Sequence, residues 1–159
     1  MAFDHKKSVT FRLAQAAKAQ RARAGSYLSQ IGLHPGQEAV LKSLFDDDDQ
    51  TMSQLAAALG VQPPTVTKMV TRLSAQNLVR RTASKSDGRL AHVCLTDEGR
   101  ELVKNIDRTW KRLEKEAVAK LDDKDRKRLR KLLRIVERSL SNAPAVDALD
   151  AEMDDADAD

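Results

Sequence analysis

From Gln62 to Ala75 the chain carries no carboxylate, and one side of a helix drawn through this stretch collects Pro64, Thr65, Thr67, Lys68, Thr71 and Arg72. Short hydroxyls beside long cations have a definite chemistry. Hydroxyls reach phosphate oxygens and base edges, while cations neutralise phosphate or donate two hydrogen bonds to guanine. On the other side Val66, Met69, Val70 and Leu73 recur at helical spacing as an apolar stripe. This composition fits a helix laid in a DNA major groove. The competing reading is an ordinary surface helix whose charge balance is accidental.

The following residues add charge of the same sign. Leu78 to Ser84 and Leu90 to Leu95 are strand-compatible runs, and Lys85-Ser86-Asp87-Gly88-Arg89 between them contains an Asp-Gly turn signal. Arg80, Arg81, Lys85 and Arg89 oppose the single anion Asp87 on this ribbon. A helix–turn–helix followed by a basic hairpin predicts a winged helix–turn–helix. Its tip would bring Arg89 into or beside a minor groove, where narrow A·T tracts attract guanidinium groups.

The elements that must position these side chains follow the same logic. Leu55, Ala56 and Leu59 mark the helix before the turn, and Gly60 suits the position just past its C-terminus. Ser53 is a fair N-cap for that helix, and Thr51-Met52 could form a very short third strand. Pro63 and Pro64 suit the first turn of the second helix, where a missing N–H loses no bond. Upstream, a helix over about 8–31 carries Val9, Leu13, Ala16, Ala17, Ala24, Tyr27, Leu28 and Ile31 on one stripe. Gly32 would end it, and His34-Pro35 would open another running through Phe45, with Val40, Leu41, Leu44 and Phe45 inward. Asp46 to Asp49 read as a solvated loop, since adjacent carboxylates repel and cannot be buried unpaired; a cation site there is the alternative. Downstream, Thr96 caps a long helix with the stripe Leu102, Ile106, Trp110, Leu113 and Ala117. Asp122 starts a last helix with Leu129, Leu132, Leu133, Val136 and Leu140 inward, and its other side is crowded with Lys and Arg.

Together these residues resemble the MarR family of bacterial transcriptional regulators. The resemblance runs through Leu55-Ala56, Leu59-Gly60-Val61, Thr65-Val66-Thr67-Lys68 with Leu73, and Leu78-Val79-Arg80-Arg81. It continues through Asp87-Gly88-Arg89 and Leu95-Thr96-Asp97-Glu98-Gly99-Arg100, and covers roughly residues 8–141. One departure lies at Gln62, where the family often has a capping Ser or Thr. The resemblance implies a mainly α fold with a small β-hairpin wing. A winged helix–turn–helix core over about 33–98 would be flanked by dimerisation helices over about 8–31 and 97–141. DNA contacts would come from Pro64, Thr65, Thr67, Lys68, Arg72, Arg80, Lys85, Asp87 and Arg89, on double-stranded DNA with an inverted repeat. The apolar stripes of the terminal helices point to the same assembly, because a monomer would leave them wet. Leu13, Trp110, Leu129, Leu132, Leu133 and Val136 are the expected homodimer contacts. The resemblance further implies a repressor relieved by a small-molecule effector, with aromatic compounds a candidate class. Its pocket would lie near Tyr27, Leu28 and His34, which are otherwise core and cap residues.

The whole-chain composition agrees with a DNA-binding role. The net charge of +4 hides an asymmetry: Ala143 to Asp159 holds seven acidic residues and no Lys or Arg. The preceding part keeps 28 basic against 17 acidic residues, a net of +11, as expected of a partner for a polyanion. Residues 1–7 read as a flexible arm, 8–142 as one domain, and 143–159 as an acidic, disordered tail, either a passive solubiliser or a competitor for the basic surface. The single Cys94 excludes an internal disulfide; a structural thiol and a redox switch are the two readings. His34, His92 and Cys94 do not have metal-ligand spacing, and no nucleophile motif or Gly-rich phosphate loop is present. The expectation is a non-enzyme without metal or cofactor, in the cytoplasm and off the membrane. An architectural DNA binder and a protein-interaction module are the readings from other classes.

Overall fold

The computed structural model describes residues 3–83 and 91–143. Contacts divide the chain into two units, Met1–Ala117 and Val118–Asp159. In the first unit a 3-10 turn at His5–Lys7, within the expected arm, leads into α1 (Val9–Gln30). Ser8 caps α1 by accepting the Phe11 N–H at 3.1 Å. Then come α2 (Gln37–Asp46), β1 (Gln50–Thr51), α3 (Met52–Leu59), α4 (Pro63–Ala75), β2 (Val79–Ala83), β3 (Ala91–Leu95) and α5 (Asp97–Ala117). The second unit holds α6 (Asp123–Ser141), capped by the Asp122 side chain on the Asp125 N–H.

The architecture is mainly helical, with one antiparallel sheet in the order β1-β3-β2. Val79 pairs with Leu95, Arg81 with Val93 and Thr82 with His92, while Gln50 on the other edge also pairs with Val93. Aliphatic side chains from α1, α2, α3, α4, α5 and the sheet close one core, including Leu28, Val40, Leu41, Leu44, Leu55, Val66, Val70, Leu73, Val93 and Ile106. Ala24, Tyr27 and Leu113 form a smaller cluster, with Trp110 packed against both. Thr96 receives the Gly99 N–H at 3.0 Å, as a cap should.

Several local expectations are corrected. His34 does not open α2: Gly36 is its N-cap, and Gln37 reaches back so that Oε1 accepts the His34 N–H at 2.8 Å. Phe45 faces solvent, with the Lys42 ammonium 5.6 Å from its ring centroid. Ser53 is not the cap of α3. Thr51 is, through a capping box with Gln54, so Met52 belongs to the helix and Gln50 takes the strand position. Val9, Ala16 and Ala117 are exposed. Leu129, Leu132, Leu133 and Leu140 of α6 are exposed in the single chain as well.

The four-Asp loop is not simply solvated. Asp48 accepts the Leu95 N–H at 2.9 Å and pairs with Arg100, and Asp49 accepts from the Cys94 thiol at 3.1 Å. The carboxylates avoid one another by pointing at different donors on β3 and α5. Asp49 turns the chain with φ 61°. The buried Gln50 amide then donates to the carbonyls of Ser43 and Asp47.

Candidate nucleic-acid interface

α4 is built as a half-buried, half-bare helix. Val66, Val70 and Leu73 have no solvent exposure, which fixes the helix rotation about its axis. That rotation leaves Pro64, Thr65, Thr67, Lys68, Thr71 and Arg72 exposed together on the outside. Gln62 makes no side-chain cap; Pro63 and Pro64 occupy the first two helical positions instead, where few N–H groups need a partner. Gly60, at φ 62°, makes the turn from α3. The end of α4 is tied to the loop after α1, where Gln76 Nε2 donates to the Gly32 carbonyl at 3.2 Å.

The hydroxyls on the exposed face are already arranged. Thr67 donates to the Pro63 carbonyl at 3.0 Å and Thr71 to the Thr67 carbonyl at 2.8 Å. Thr71 Oγ1 in turn accepts from Arg81 Nη2 at 2.9 Å. Arg81 on β2 is therefore attached to α4. Its neighbour Arg80 points to the other side of the sheet, as strand alternation requires. There it lines a polar cavity of about 310 Å³ with Asp48, Thr96, Asp97, Glu98 and Arg100. Composition alone does not separate Arg80, the expected contact, from Arg81; the period-two alternation from buried Val79 is the signal that does. Lys85, Asp87 and Arg89 lie outside the described residues, as does the acidic segment from Pro144 onward.

Cys94 is buried at the base of the ribbon, and its thiol is pushed up from its ordinary range, first by burial and then by the hydrogen bond to Asp49. A raised pKa suppresses the reactive thiolate, which favours the structural reading. Asp49 also faces His92, whose Nδ1 lies 2.9 Å from the Asp49 carbonyl oxygen. Among the described residues no group of three or more His, Cys, Asp or Glu side chains is placed to hold a metal ion. None of the described helices is long and apolar enough to cross a membrane.

Of the three residues expected at a ligand pocket, the structure brings one to a cavity. Tyr27 lines a space of about 240 Å³ with Gln30, Ile31, Asn105, Arg108, Thr109 and Arg112. Leu28 is packed in the main core instead, and His34 is exposed on the loop. The Tyr27 ring lies between two guanidinium groups, with the central carbons of Arg23 and Arg112 each 4.7 Å from its centroid. Its hydroxyl donates to Glu116 at 2.5 Å, and Arg23 Nε donates to the same carboxylate at 3.1 Å. The Tyr27 hydrogen bond, then that of Arg23, holds the Glu116 carboxyl below its usual range, and Glu116 raises Arg23. Glu116 and Arg112 reach Tyr27 only through the packing of α5 on α1, whereas Arg23 lies four residues before Tyr27 on α1 and helical spacing is the signal that could have found it.

Comparison with known proteins points to the same chemistry. The profile of the MarR family matches residues 33–90. The chain is 40% identical over 72 residues to the HTH-type transcriptional repressor MdtR of Bacillus subtilis, covering 45% of this chain and 46% of that protein. It is 33% identical over 108 residues to the HTH-type transcriptional regulator YhbI of the same organism, covering 65% of this chain and 70% of the relative. Among solved structures it resembles Bordetella bronchiseptica BpsR, whose DNA binding is regulated by 6-hydroxynicotinic acid. The TM-score is 0.75 at 23% identity, over 90% of this chain and 99% of that one.

Proposed function

The chain belongs to the MarR family of transcriptional regulators, and from that premise we propose that it is a homodimeric repressor that binds an inverted-repeat DNA operator and is released by a small-molecule effector. The observation that carries the DNA-binding reading is α4. Val66, Val70 and Leu73 on its apolar face are fully buried with Met69 half-buried beside them, and six exposed residues without a carboxylate form the other face. Thr65, Thr67 and Lys68 would face base edges, with Pro64 against the backbone and Arg72 on phosphate. Lys85, Asp87 and Arg89 would supply the wing side of the interface, while Arg80 lines a cavity with Asp48, Asp97 and Glu98. Two copies joined through Leu13, Trp110, Leu129, Leu132, Leu133 and Val136 would set half-sites about one helical turn, roughly 34–36 Å, apart. The exposed leucines of α6 support this, since a second copy removes them from water. No part of this reading requires catalysis.

The effector reading rests on the cavity beside Tyr27. Arg108 and Arg112 are one helical turn apart, with an aromatic ring and Ile31 alongside, a lining suited to an aromatic acid. A ligand that binds better to one spacing of the recognition helices would lower operator affinity by that differential.

Selection of bound sequences from a random DNA pool, followed by titration of the best site at several salt concentrations, tests the proposal. One enriched inverted repeat with a steep salt dependence is expected. Weak enrichment would favour an architectural binder, and absence of salt-dependent binding a protein-interaction module. Adding 6-hydroxynicotinic acid to the selected complex tests the effector class, with Arg112→Ala expected to blunt any release.

A further inference from the structure

We propose that Arg81 is a preorganised DNA-phosphate contact, held by Thr71 so that β2 and the recognition helix meet the backbone as one surface; this rests on the DNA-binding reading above. The geometry is a relay. The Thr71 hydroxyl gives its proton to the Thr67 carbonyl at 2.8 Å, so its oxygen is left as an acceptor facing out of the helix. Arg81 Nη2 fills that acceptor at 2.9 Å. The arrangement is directional, because with its proton engaged Thr71 can receive the guanidinium but has none to offer elsewhere.

Arg81 is exposed, so this neutral contact does not withdraw its charge from solvent. One of its five N–H groups is used and the rest of the fork remains available for an anion. Holding a long side chain in place before binding removes part of the rotamer entropy that a free arginine would lose on contact. Strand register supplies the remaining constraint. Arg81 pairs with Val93, whose side chain has no solvent exposure, and follows buried Val79 by two residues. The strand cannot slip by one residue without turning Val79 outward and Arg81 away from α4. Arg81 is thus placed beside α4 by the core, whereas Arg80 is placed beside Asp48, Asp97 and Glu98. On β2 the two adjacent arginines therefore have different roles.

The test uses the full chain and a duplex carrying its best selected site, with a scrambled duplex for comparison. Arg81→Ala should weaken binding to both duplexes by about tenfold or more and shallow the logarithmic salt slope by about one unit. Arg81→Gln keeps a donor for Thr71 but no charge, so it should retain wild-type thermal stability and show the same slope change. Thr71→Val should weaken binding by a smaller factor, about threefold, at unchanged slope, since the charge stays while its placement is lost. In an Arg81→Ala background, Thr71→Val should have no further effect. Wild-type affinity or an unchanged slope in Arg81→Gln would overturn the phosphate contact. An equal Thr71→Val effect in both backgrounds would overturn the positioning. If wild type itself shows no salt-dependent DNA binding, the DNA-binding reading fails instead, and the two outcomes are distinct.

Discussion

Among the described glycines Gly99 has the least room for a side chain, and replacing it with alanine gives a sharply defined prediction. It lies in the first turn of α5, where a Cβ would come within 2.1 Å of the Leu78 carbonyl oxygen and 3.1 Å of Leu95 Cδ2. Real Cβ atoms essentially never approach nearer than 3.0 Å, so α5 or the start of β2 must retreat by about 0.9 Å. The carbonyl is not free to move, because it accepts the Thr96 N–H at 3.2 Å. Overpacking of this kind costs about 1–3 kcal/mol. Loss of the Thr96 bond adds about 1 kcal/mol, and the helix preference for Ala over Gly returns about 0.5–1 kcal/mol. The net is about 1–3 kcal/mol, or a fall in Tm of about 3–10 °C for a domain of this size. Leu78 also joins α4 to β2, so operator affinity should fall with stability. The assay is thermal unfolding by circular dichroism at one fixed protein concentration, because association makes Tm concentration-dependent. Gly25→Ala is the control: its Cβ would sit an ordinary 3.7 Å from Pro35 Cγ, so stability should be unchanged or rise by about 0.5–1 kcal/mol. A Gly99→Ala protein as stable as wild type would refute the reasoning.

Other perturbations test other parts of the molecule. Leu132→Asp or Leu133→Asp places a charge on the exposed apolar side of α6, so sedimentation should show folded monomers that have lost tight operator binding; a wild-type protein that is already a folded monomer at micromolar concentration would remove the basis for this. Glu116→Gln should remove a pH-dependent part of stability. Since the Glu116 carboxyl is held below its usual range, its contribution is present above the ordinary value of about 4.3 and is lost as pH falls through the lower folded value, so wild type and variant should converge in acid and separate above it. Cys94 should react with iodoacetamide at least about tenfold more slowly in the native protein than in urea at mildly alkaline pH, because burial keeps it a thiol; equal rates would contradict the burial argument.

The helices were legible because each states its orientation locally. Val66, Val70 and Leu73 recur at a spacing that only a helix turns into a single face, and the structure buries those three completely. Gly60 and the two prolines mark the turn by backbone restriction, which needs no tertiary information. Caps were less legible, since more than one residue near a helix start can serve. Ser53 and Thr51 both qualify by type. Thr51 wins because Gln54 lies three residues on and returns a bond to its N–H, and because β1 pairing with β3 already holds the preceding residue extended.

What stayed hidden was everything that depends on a partner far along the chain. Four consecutive carboxylates look like a surface loop when only their mutual repulsion is counted. Here Asp48 and Asp49 meet an amide, a guanidinium and a thiol carried more than forty residues later, and the repulsion is removed by divergence of the side chains. The same limit explains the arginines on β2. As a composition, Arg80-Arg81 is one basic pair; as a strand paired to Val93 and Cys94, it is two side chains on opposite faces. One faces carboxylates near the start of α5, and the other faces a threonine of the recognition helix. Charge counted along the chain thus indicates that a polyanion is the partner, but only the register of the sheet decides which cation is positioned to meet it.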